Sequence, residues 1–107
     1  MAAIFDGFKY QDHLLCSDGV SLEEIAEKVG TPCYVYVSSI MQKAYEELSQ
    51  SLESIPHIIC YAVKANSNIA VIKTLAQMGA GADIVSGGEL YRALEAEIPS
   101  EKIVFSG

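Results

Sequence analysis

The chain has 107 residues, 50% hydrophobic and 20% charged, the balance of a globular sequence with a core and not of a disordered or fibrous one. Seven basic against fourteen acidic side chains leave a formal net charge of −7, which argues against nucleic acid or anionic lipid as a partner. The length suits one small domain and falls well short of the roughly 250 residues of a complete (β/α)8 barrel.

The acidity is uneven: residues 1–56 carry three Lys and nine Asp/Glu, and residues 57–107 carry four basic and five acidic groups. Cys16, Cys33 and Cys60 are odd in number and widely spaced, with no C-x-x-C pair, and His13 and His57 have no metal partner at ligand spacing. Reduced structural thiols and no metal site are expected. Residues 1–20 lack a basic segment followed by an apolar one, and no apolar run approaches the 18 or so residues of a membrane span. A cytoplasmic protein without a membrane partner is expected.

In chain order, residues 1–20 mix aromatic and apolar residues with Asp-Gly pairs, which predicts short strands or loops and a turn at Asp18-Gly19. Ser21 followed by Glu24 is a capping-box pattern, and Leu22, Ile25, Ala26 and Val29 share one helical face before Gly30, so a helix is predicted over 22–29. The run CYVYV at 33–37 has strong extended preference. Ser38 and Ser39 are candidate caps for a helix with Ile40, Ala44, Leu48 and Leu52 on one face and Lys43, Glu46, Glu47 and Gln50 on the solvated side.

The continuous apolar run HIICYAV at 57–63 predicts a strand covered on both faces. Asn68 can cap a helix over 69–78 that Gly79 stops; 82–85 is a short strand; Ser86 caps a helix over 87–97; and Ile103 opens a further strand. Strands alternating with crossovers of a dozen or more residues imply a parallel α/β sheet.

Lys64 follows the strand at 57–63 directly, where parallel α/β sheets place their reaction sites. Partly desolvated, a lysine amine loses its proton more readily, and the neutral amine attacks an aldehyde to form an imine. Position alone leaves a second reading open, a solvated lysine at a strand end, which describes most lysines.

The segment YAVKANSN at 61–68 resembles the cofactor-lysine segment of the fold-type III pyridoxal-phosphate enzymes. Those enzymes include alanine racemase and the diaminopimelate, ornithine and related decarboxylases. GAGADIVSGGEL at 79–90, IVFSG at 103–107 and GTPCYVY at 30–36 are similar to further segments of the diaminopimelate decarboxylases, in the same order.

The resemblance implies an α/β fold, the N-terminal part of an alanine-racemase-like (β/α)8 barrel, incomplete in this chain. Residues 1–30 would belong to the β-rich domain of the full enzyme and residues 31–107 to the barrel. It also implies pyridoxal 5'-phosphate held by Lys64, decarboxylation of the small amino acid meso-diaminopimelate to lysine, and a homodimer. The alternatives are a decarboxylase of ornithine, arginine or carboxynorspermidine, or a non-catalytic relative. The family's phosphate loop and ring-nitrogen partner lie in later segments, so the 107 residues alone are expected to be inactive.

By the same matching, Ala62 lies close to the ring and Asp83 beside the lysine. A carboxylate there can orient Lys64 or shuttle its proton, or can simply be bound by backbone amides or a salt bridge. Glu89 matches an acidic position near the cofactor. In Ser-Gly-Gly-Glu at 86–89 it also reads as a capping box, reaching back to the Ser86 amide. Strand alternation sets Tyr61 opposite Ala62, in the core.

Overall fold

A computed structural model describes residues 7–107, which divide between two compact units, one ending at Ile40 and one running from Met41 to Gly107. The predicted features of residues 1–6 lie outside the described residues.

In the first unit, β1 (Lys9–Gln11), β2 (Leu14–Ser17) and β3 (Val20–Ser21) form an antiparallel sheet in that order. Gln11 pairs with Leu14 and Ser17 with Val20, so each hairpin has a two-residue loop. In a type I′ turn, one of the two that match the right-handed twist of the strands, both loop positions take positive φ. Asp18-Gly19 (φ 48 and 79°) meets this at the expected turn, and Asp12-His13 (φ 49 and 68°) meets it without a glycine. Asp and His tolerate the left-handed region better than most side chains.

Helix α1 (Leu22–Val29) starts and stops where its caps dictate. Ser21 Oγ accepts from the Glu24 amide at 3.0 Å, and Gly30 (φ 88°) donates its N–H to the Ala26 carbonyl. The Glu24 carboxylate turns instead to Lys28, 2.8 Å away and one helical turn on. That ion pair holds the Glu24 carboxyl below its ordinary pKa and the Lys28 ammonium above its own, and it is fully exposed and screened.

The run at 33–37 forms no strand, contrary to its propensity. Extended preference yields a strand only where a neighbour supplies donors and acceptors, and no described strand pairs with this one. Tyr34, 88% exposed, stacks on Tyr36 with ring centroids 6.3 Å apart. Helix α2 (Ser38–Ser51) follows; Leu52 falls one residue beyond it, and none of its residues is buried.

The second unit holds a parallel sheet in the order β4 (Cys60–Ala62), β5 (Gly81–Ile84), β6 (Ile103–Phe105). The crossovers contain α3 (Ile69–Ala76) and α4 (Gly87–Glu95). This is the expected α/β alternation. On β5, Ala82 and Ile84 join Val63, Ile72, Ala93, Ala96 and Ile98 in one buried cluster, with Tyr61, Ile69, Ala76 and Ile103 packed around it. Alternation assigns Gly81 and Asp83 to the opposite face of the sheet. At Gly81 a Cβ would lie 2.2 Å from the Lys102 carbonyl oxygen and 2.9 Å from Cys60 Sγ, so only glycine lets the three strands close up there.

Two boundaries differ from expectation. Only Cys60–Ala62 of the 57–63 run enters the ladder, and Val63–Ala65 is already a 3-10 turn. Nor is that strand buried as a continuous apolar run would suggest: its residues are half-buried, and β5 is its sole ladder partner among the described residues. A continuous apolar run reports the capacity for burial, whereas burial itself needs a neighbour on each side. Helix α4 ends without a glycine. Glu97 takes the left-handed conformation (φ 68°), and the Ile98 amide reaches the Ala93 carbonyl at 3.1 Å, with the buried Ile98 side chain sealing the end.

Candidate functional site

The residues singled out by sequence gather at the C-terminal ends of β4 and β5. Lys64 sits in the 3-10 turn just beyond β4, exposed, and its amine makes no hydrogen bond or ion pair with any described residue. The backbone beneath it is tightly held. Val63 is 0% exposed in the core cluster, and the Asn66 amide donates to the Val63 carbonyl at 3.2 Å. Asn66 Oδ1 accepts the Asn68 amide at 3.0 Å, and Asn68 Oδ1 caps α3 by accepting from the Ala70 amide at 2.9 Å. Tyr61, placed by alternation on the helix-covered face, sends its hydroxyl to the Asn66 carbonyl at 2.9 Å.

Ala62 is the last ladder residue of β4 and pairs in register with Asp83, which pairs onward with Val104. Ala62 and Asp83 therefore share one face of the sheet, with Cys60 and Gly81 one pleat away. Burial, and then the Asp83 carboxylate, push the Cys60 thiol pKa up, so it stays protonated near neutral pH. The Asp83 carboxylate accepts a hydrogen bond from the Ser106 hydroxyl at the end of β6, and no ion pair links it to Lys64. Ser106 had not been singled out in the sequence; its signal is a hydroxyl directly after the third parallel strand.

Glu89 lies in the first turn of α4. Its amide donates to Ser86 Oγ at 3.1 Å, the predicted half of the capping box. Its carboxylate accepts from the Val85 amide at 2.9 Å and not from the predicted Ser86 amide. The carboxylate reaches one residue further back, into the loop that follows β5. Arg92, three residues later, donates from Nη1 to the Ser67 carbonyl at 3.0 Å.

The donor set suits a cofactor that presents a carbonyl. An uncommitted primary amine stands on a hydrogen-bonded turn, a hydroxyl-anchored carboxylate lies one strand away, and the small side chain of Ala62 lies level with that carboxylate on the same face of the sheet. Among the described residues no group of three His, Cys, Asp or Glu side chains could hold a metal ion, and no helix is long and apolar enough to cross a membrane.

Comparison with known proteins identifies the family. The profile described as the pyridoxal-binding domain of pyridoxal-dependent decarboxylases matches residues 38–107. Diaminopimelate decarboxylase of Pseudomonas fluorescens is 51% identical over 102 residues, covering 95% of this chain and 24% of that protein. The Aquifex aeolicus diaminopimelate decarboxylase is 50% identical over 99 residues, covering 92% of this chain and 23% of its own length. The crystal structure of diaminopimelate decarboxylase from M. jannaschii in complex with L-lysine matches with a TM-score of 0.86 at 40% identity, over 94% of this chain and 24% of that one. The chain thus spans about a quarter of the length of the relatives it matches. With a lysine-bearing turn at the end of the first parallel strand and the family profile running through it to residue 107, the chain belongs to the pyridoxal-dependent decarboxylases, in their pyridoxal-binding domain.

Proposed function

We propose that this chain is the lysine-bearing part of a pyridoxal 5'-phosphate-dependent diaminopimelate decarboxylase, which converts meso-diaminopimelate to L-lysine. The observation that carries the proposal is the Lys64 amine, exposed and unpaired on a turn whose backbone is fixed from several sides. The 40–51% identity to diaminopimelate decarboxylases and the L-lysine bound in the M. jannaschii relative support the amino-acid substrate. By the same reading, residues 31–107 are the first part of a (β/α)8 barrel, residues 1–30 belong to a β-rich domain, and the full protein is a cytoplasmic homodimer.

Lys64 Nζ is the atom that would hold the cofactor covalently. Ala62, small and level with Asp83, keeps room beside the ring, and the Asp83 carboxylate, anchored by Ser106, favours a protonated group near it. When bound, pyridoxal phosphate supplies the electron sink for the charge left when carbon dioxide departs. The chain's own task is to hold amine and carboxylate in place so that little reorganisation accompanies reaction.

The deciding experiment is borohydride treatment of a full-length protein carrying this segment, in the presence of pyridoxal phosphate, followed by peptide mapping. A stable pyridoxyl label on Lys64 is expected; label on Lys73 or Lys102 instead, or on no lysine, would refute the proposal.

Glu89, matched by resemblance to a cofactor position, makes the hydrogen bonds of a helix cap, which supports a capping role. Glu89→Gln should keep stability within about 0.5 kcal/mol, because the amide oxygen can still accept from Val85, whereas Glu89→Ala should cost about 0.5–2 kcal/mol. A loss of turnover in Glu89→Gln at unchanged melting temperature would assign Glu89 a direct role at the cofactor.

A further inference from the structure

We infer that Arg92 is a positioning residue for Lys64: from helix α4 it holds the turn that carries the amine, and so sets how readily that amine meets a carbonyl. The second half of this statement rests on the cofactor reading above. The Lys64 side chain makes no polar contact, so its location is decided by the backbone of residues 63–68. That backbone lies beyond the ladder, and two side chains from outside the turn hold consecutive carbonyls. Tyr61 Oη donates to the Asn66 carbonyl at 2.9 Å, and Arg92 Nη1 donates to the Ser67 carbonyl at 3.0 Å.

Tyr61 belongs to the strand that leads into the turn, so it brings no independent reference point. Arg92 does, since 25 residues separate it from Ser67. Its helix is anchored by the adjacent Ala93, which is fully buried in the core cluster. Glu89 and Arg92 are three residues apart and share one helical face. Through Glu89 that face binds the loop after β5 at the Val85 amide, and through Arg92 it binds the turn after β4 at the Ser67 carbonyl. One rigid helix thereby sets the spacing between the strand ends that carry Lys64 and Asp83. Because the guanidinium is charged, the bond to Ser67 is stronger than a neutral one.

The test uses Arg92→Ala and Arg92→Lys in a full-length protein carrying this segment, with two readouts. Hydrogen exchange of peptides covering 64–68 should accelerate about five- to tenfold in Arg92→Ala, the effect of losing one charge-assisted bond at an exposed site. Exchange over 81–84 should stay unchanged. Pyridoxyl labelling of Lys64 should slow by a comparable factor, and Arg92→Lys, which can still donate to the Ser67 carbonyl, should recover part of both. Exchange over 64–68 at the unsubstituted rate in Arg92→Ala would overturn the inference, as would equal acceleration over 81–84, which would make Arg92 a contributor to general stability only. Absence of label in the unsubstituted protein would defeat the cofactor reading alone, because exchange still decides whether Arg92 holds the turn.

Discussion

If Lys64 holds the cofactor as proposed, Lys64→Ala in a full-length protein carrying this segment is expected to lower decarboxylation by about a thousandfold or more, because the amine that would form the covalent link is gone. The fold should not notice. Lys64 is exposed and makes no hydrogen bond or ion pair with a described residue, so the substitution should change stability by no more than about 0.5 kcal/mol. Catalysis and stability are therefore expected to separate completely in this variant. Parallel measurement of turnover and unfolding checks this, and retained turnover would remove Lys64 from the site.

The largest structural effect is expected at Ile72. Its side chain and that of Val63 are the largest that are fully buried in the second unit, and both belong to the cluster between the sheet and its helices. Ile72→Ala removes buried methyl groups and leaves a cavity that surrounding helices fill only in part, a loss of about 2–5 kcal/mol, against about 0.5–1.5 kcal/mol for Ile72→Val. The consequence reaches the site, since Val63 shares that cluster and is the residue on which the Lys64 turn begins. Denaturant unfolding of the two variants would show the difference. A loss below about 1 kcal/mol in Ile72→Ala would mean that this cluster is not the principal core.

Much of the local structure was legible because its determinants are local. Ser21, Asn68 and Ser86 each cap the helix that follows them, and α1 occupies the predicted residues. The parallel sheet follows from strand and helix alternation, and Lys64 is distinguished by its place just past an apolar strand. Residues 33–37 show the limit of this reasoning, because a run with every preference for strand has no described partner and remains irregular. The strand before Lys64 likewise shortened to three residues with one described neighbour.

By itself the sequence determined where α1, α3 and α4 begin, that Tyr61 faces away from Ala62, and which amine stands at a strand end, since each depends on neighbours within a few positions; Ser38 and Ser39, expected as caps, lie inside α2. Only the tertiary structure decided what those groups touch. It directed Asp83 to Ser106, moved the Glu89 carboxylate from the expected Ser86 amide to that of Val85, and brought Arg92 to Ser67. The Asp83 and Arg92 contacts join residues more than twenty positions apart, and strand register and helix packing create them. The Glu89 contact spans only four residues, yet it depends on how the loop after β5 turns into α4, a geometry that cap propensity does not specify.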